Sequence, residues 1–96
     1  MIAKLIGKRI KQLRNERGES QEAVANRIGM ARSYFGDIEL GKHDVSIQKL
    51  LTVVNGLDVT LEEFFDSDIF DPLYKDDAGN QFIRYEAVSL PDKKGR

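Results

Sequence analysis

The sequence predicts an all-α domain of five short helices over residues 1 to 66. Residues 67 to 96 are expected to add an acidic linker, a short C-terminal β-hairpin and a frayed tail. Three observations carry this expectation. Apolar residues recur at spacings of three and four through the first 65 positions, the period of helices that bury one face. Capping residues and glycines punctuate that pattern at short intervals. Beyond the acidic stretch the period changes to two, as in strands. A chain of 96 residues can hold one small core with an appendage, and is too short for two ordinary cores.

The first helix, about residues 3 to 16, rests on Ile2, Leu5, Ile6, Ile10 and Leu13 as its apolar stripe, with Gly18 placed to end it. Ser20 then offers an N-cap hydroxyl to a second helix at about residues 21 to 27, which carries Val24, Ala25 and Ile28. Gly29 supplies a tight turn. Tyr34, Phe35 and Ile38 set a third stripe that stops before Gly41, so two short helices are separated by a three- or four-residue turn. Ser46 caps a fourth helix whose Ile47, Leu50, Leu51 and Val54 are expected to face inward, ending at Asn55 and Gly56. Thr60 and Glu63 form a capping box that opens a fifth helix, with Leu61, Phe64 and Phe65 toward the core. Residues 66 to 77, acidic and holding Pro72, read as a linker. Residues 72 to 90 alternate around an Asp-Asp-Ala-Gly-Asn turn and read as a two-stranded hairpin. A lone hairpin is marginal in water, so it should pack on the helices, on a second copy or on another protein.

Composition removes many kinds of chemistry. With no cysteine and one histidine, disulfides, thiolate metal sites, iron–sulfur clusters and multi-histidine sites have no ligands. The N-terminal apolar run is broken by Lys4 and Gly7, so neither a membrane span nor a signal peptide is expected and the chain reads as cytoplasmic. Ser46 and Lys49 match the S-x-x-K spacing of some acyl-transfer enzymes, but Ser46 already serves as a helix cap, and no enzyme activity is expected. The Asp-Asp-Ala-Gly-Asn turn lacks the spaced oxygens of a calcium loop. No cofactor or metal is expected. The charge is split: residues 1 to 43 hold nine Lys/Arg against five Asp/Glu, and residues 44 to 96 hold six against eleven. That asymmetry suggests an N-terminal face for an anionic partner, with a solvated helix surface as the alternative.

Residues 20 to 41 carry Gln21 at the start of the second helix, Ala25 at the helix crossing and Gly29 in the turn. Phe35 and Ile38 follow as inward apolar residues, with Glu39 before Gly41. This segment resembles the helix-turn-helix of the Cro and phage-repressor family, also called XRE-type, and the resemblance extends through the five-helix order over about two-thirds of the chain. It implies a sequence-specific transcriptional regulator, a repressor in the first instance, that binds double-stranded DNA. Two positions depart from the family pattern. Ala31 stands where a Ser, Thr or Asp usually caps the reading helix, and Gly36 where a larger polar residue is common. Each weakens the third helix locally, glycine by about 1 kcal/mol relative to alanine.

A helix fits the major groove, where base edges show a distinct pattern of donors and acceptors. With Phe35 and Ile38 turned inward, the base-facing positions are Arg32, Ser33, Gly36 and Asp37. Arg32 has the reach for O6 and N7 of guanine, and Asp37 can accept from cytosine N4. Asp37 has alternatives as a solvated residue or a partner of Arg32. Gly36 can admit sugar, phosphate or a thymine methyl. The backbone-contacting set is Gln21, Tyr34, Lys42 and His43; Tyr34 is equally a half-buried core aromatic, and His43 a plain surface histidine. From the resemblance, Arg14 pairs with Glu39 and fixes the reading helix to the scaffold.

Four outward side chains give too little specificity alone, so a homodimer on a pseudo-palindrome is expected, its reading helices about 34 Å apart. Helix five and the hairpin, with Phe70, Phe82 and Tyr85, are the expected contact. The alternative is that these aromatics fold back on their own domain. A further alternative is an antitoxin-like or adapter role, in which the C-terminal segment binds a partner protein and DNA binding serves autoregulation.

Overall fold

In the computed structural model, which describes residues 2–71, α1 spans Ile2–Glu16, α2 Gln21–Arg27, α3 Arg32–Glu39, α4 Ile47–Gly56 and α5 Leu61–Phe65. A single 3-10 turn, Asp68–Phe70, follows. Among the described residues there is no strand. The expected hairpin over residues 72 to 90, with Phe82 and Tyr85, and the tail beyond it lie outside the described residues.

The helices share one core. Ile6, Ile10 and Leu13 of α1 meet Val24 and Ala25 of α2, Phe35 and Ile38 of α3, Leu50, Val53 and Val54 of α4, then Leu57 and Phe64. Burying this apolar surface is the main force holding such short helices, since a helix of seven or eight residues is unstable alone. The caps act where local chemistry expects them. The Ser20 hydroxyl accepts from the Ala23 N–H at 3.0 Å, and Ser46 does the same for Lys49 at 3.0 Å. Thr60 and Glu63 satisfy each other's backbone N–H groups at 3.0 and 2.8 Å.

Three expectations need correction. Ile2, at the end of the α1 stripe, is 52% exposed because the first turn projects past the core. In α4, Ile47 is 70% exposed and Leu51 also faces outward, while Val53 takes the buried place. The run from Leu50 to Val54 is apolar on almost every side, so its periodicity cannot select a face. In α5 only Phe64 is buried, and Leu61 and Phe65 are exposed. α4 ends at Gly56, as expected, though Gly56 does not itself turn left-handed. It is the last helical residue, and Asp58 takes the positive φ of 59°. Gly56 is small because Ile28 lies against it: a Cβ there would collide with the Ile28 methyl.

The acidic stretch after α5 begins inside the domain. Ser67 caps the 3-10 turn, Ile69 is buried, and the Phe70 ring lies 5.0 Å from Phe65 and 6.1 Å from Phe64. Phe70 therefore packs, half-buried, on its own domain. The surrounding Asp66, Asp68 and Asp71 hide this apolar pair in the sequence.

Arginines tie the helix ends together. Arg9 on α1 donates to the Phe64 carbonyl at 2.6 Å and the Glu63 carbonyl at 2.8 Å, closing the C-terminus of α5. Arg27 donates to the Gly56 carbonyl at 2.7 Å and also pairs with Glu19. Arg27 and Arg17 together hold the Glu19 carboxyl at a pKa of about 2 by hydrogen bonding to its charged form.

Candidate nucleic-acid interface

The presenting unit is built from α2, a turn and α3. Gly29 adopts φ 69°, a left-handed conformation that disfavours side chains, and this lets the Met30 N–H return to the Ala25 carbonyl at 2.9 Å. The chain then enters α3 through Ala31, which gives no side-chain cap. Ala25, Phe35 and Ile38 are fully buried where the helices cross. The opposite side of α3 carries Arg32 and Ser33, both exposed, and the half-buried Gly36 and Asp37.

Two devices fix α3 on α1. Gly7 lies against the carbonyl groups of Ile38 and Glu39, an approach that any side chain would obstruct. Two turns later Arg14 grips Glu39: Nε donates to Oε2 at 2.6 Å and Nη2 to Oε1 at 3.0 Å. Arg14 is 8% exposed and Glu39 6%, and the third arginine nitrogen, Nη1, donates to the Glu19 carbonyl at 2.8 Å. Hydrogen bonding to Glu39 raises the pKa of Arg14 further above its ordinary value. The Gln21 amide joins this pair, with Nε2 donating to Glu39 Oε1 at 2.8 Å. The sequence gives no sign of this bond. It leaves Gln21 at the α2 N-terminus with its rotamer already set.

An open groove of about 310 Å³ runs along this face, lined by Lys11, Gln21, Arg32, Ser33, Gly36 and Asp37 among others. All four expected base-facing residues border it, and so does Gln21. A Cβ on Gly36 would come only 3.4 Å from the Gln21 amide oxygen, so internal packing does not demand a glycine; its effect is an open groove floor. Lys11 was missed by the sequence reading. It shares a face of α1 with Gly7 and Arg14 at spacings of four and three, which was a usable signal. Arg32 makes no hydrogen bond or ion pair among the described residues, and is free to meet a ligand.

Asp37 does not pair with Arg32. Its two carboxylate oxygens lie 3.7 Å from Lys42 Nζ and 3.7 Å from His43 Nε2. The Tyr34 ring, half-buried against the core, stands 5.0 Å from the His43 ring, and Lys49 Nζ lies 4.9 Å from the Tyr34 centre. Lys49 adds a cation to this flank that sequence spacing did not reveal. Among the described residues there is no metal-ligating cluster, and no helix is long and apolar enough to cross a membrane.

A family model described as a helix-turn-helix domain matches residues 5–64. The chain belongs to the helix-turn-helix domain family. Its relatives mark it as an XRE-type regulator. Control protein C.MunI of Mycoplasma sp is 44% identical over 64 residues, spanning 66% of this chain and 85% of that protein. The HTH-type transcriptional regulator SinR of Bacillus subtilis is 41% identical over 63 residues, 65% of this chain and 57% of SinR. A chain of the restriction-modification controller protein C.Esp1396I, from the structure of its tetramer in complex with its natural 35 base-pair operator, superposes with a TM-score of 0.65 at 29% identity. That match covers 68% of this chain and 86% of the controller. Like these proteins, the helix-turn-helix chain is a DNA-binding regulator and not an enzyme.

Proposed function

We propose that this protein is a sequence-specific repressor that binds a pseudo-palindromic operator as a homodimer. The observation that carries the reading is the exposed Arg32 at the start of α3, unpaired among the described residues, at the edge of a groove also lined by Gln21, Lys11 and the open backbone of Gly36. Arg32, with Ser33 and Gly36, faces base edges. Gln21, Tyr34, Lys42 and His43 face phosphate. Such DNA work is done in the cytoplasm. The match spans most of the length of C.MunI and C.Esp1396I and little over half of SinR, which favours a controller of the restriction-modification kind.

Site selection on random duplexes followed by fluorescence anisotropy tests this. Arg32→Ala is expected to weaken the selected site by about 1 to 3 kcal/mol and relax preference at one base pair per half-site. Lys42→Ala should instead weaken all duplexes alike and lower the salt slope by about one. Unchanged selectivity in Arg32→Ala removes α3 as the reader.

Support for the dimer comes from exposed apolar side chains on α4 and α5: Ile47, Leu51, Leu61 and Phe65. Phe65 is 43% exposed and, with Ile2, Ile6, Val45, Ile47 and Leu50, borders an apolar groove that contains no α3 residue. This face is the contact we propose within the described residues, and it leaves α3 free. Ile47→Lys should sediment as a folded monomer with weakened operator binding. A dimer of unchanged strength would exclude this face.

A further inference from the structure

We propose that Asp37 tunes the affinity for every duplex by occupying Lys42 and His43 until phosphate takes them, and does not read a base. The inference rests on the DNA-binding reading above. One carboxylate holds two neighbours, each of its oxygens 3.7 Å from a different side-chain nitrogen. The backbone reinforces the tie, because the Lys42 N–H donates to the Asp37 carbonyl at 3.0 Å. The Tyr34 ring, itself under Lys49, braces His43 from the side. The positive groups at this flank are thus Lys42, Lys49 and, when protonated, His43. Lys42 and His43 face Asp37, with Asp44 next in the loop.

Non-specific affinity for DNA comes almost wholly from cations releasing counterions at phosphates. An exposed ion pair restrains its cation by a factor of about 1.5 to 5, so the pair with Lys42, joined by His43 when it is protonated, subtracts from binding to any duplex. Arg32, which has no ion-pair partner among the described residues, is not restrained. The subtraction falls alike on every duplex, because contacts to phosphate are common to specific and non-specific binding.

The test measures the full chain, Asp37→Asn and, as a charge-matched control, Asp44→Asn. Each is titrated by anisotropy on a random-sequence duplex and on its own selected site, over a salt series. Asp37→Asn should bind the random duplex and its selected site alike about twofold to fivefold tighter than the parent, with a steeper salt slope. The selected sequence and the specificity ratio should be unchanged. Asp44→Asn should gain less than half as much, and Lys42→Gln combined with Asp37→Asn should return most of the gain. A changed base at one position of the selected site would show Asp37 to be a reader and overturn the proposal. So would equal gains in the two aspartate variants. A parent chain that binds its selected duplex, with Asp37→Asn indistinguishable from it, overturns only this inference; a parent that binds no duplex overturns the DNA-binding reading as well.

Discussion

Replacing Arg14 by alanine is expected to destabilise the domain by about 3 to 5 kcal/mol, the usual consequence of removing one partner from a buried pair. Arg14 satisfies both carboxylate oxygens of Glu39 and the Glu19 carbonyl, and no buried side-chain polar atom lacks a partner among the described residues. After the substitution Glu39 keeps only the Gln21 amide, and its charge is left uncompensated at 6% exposure. A loss of 3 kcal/mol corresponds to a fall in Tm of about 12 °C or more in a domain of this size. Differential scanning calorimetry reads it directly. An unchanged Tm would mean that the pair contributes nothing. The double variant Arg14→Met with Glu39→Met should recover much of the loss, since apolar residues of similar volume replace both charges.

Gly7→Ala is expected to lower stability by about 2 to 3 kcal/mol, although alanine favours a helix over glycine by about 1 kcal/mol. The added methyl meets the carbonyl groups of Ile38 and Glu39, which are backbone and cannot swing aside. α1 and α3 must separate, and the Arg14 clamp with them. Gly36→Ala provides the contrast within the same fold, because its Cβ meets only the end of the flexible Gln21 side chain. Urea unfolding should show Gly36→Ala unchanged or more stable and Gly7→Ala weaker. Equal effects would mean that helix propensity, and not the close approach, decides both.

What the sequence made legible was local. Ser20, Ser46 and Thr60 act within three residues of themselves, so their roles follow from spacing alone. The pairing of Arg14 with Glu39 came through family resemblance, because no spacing rule joins residues 25 apart. Features set by tertiary geometry were out of reach. The bond from Gln21 to Glu39 depends on how α2 crosses α3. The hold of Asp37 on Lys42 and His43 depends on the loop after α3. Ile69 and Phe70 were concealed for a different reason: local charge suggested solvent, while two apolar side chains in one 3-10 turn were enough to bring the backbone onto the core.

The eight residues of α3 divide cleanly between two duties. Phe35, Ile38 and Glu39, with the half-buried Tyr34, anchor the helix, and Arg32, Ser33, Gly36 and Asp37 touch almost nothing that the fold requires. The proposed reading surface is therefore a replaceable cassette. New outward residues can be written into it without renegotiating the core, so lineages and engineers alike can retarget this scaffold by exchanging outward letters while the four anchors stay fixed.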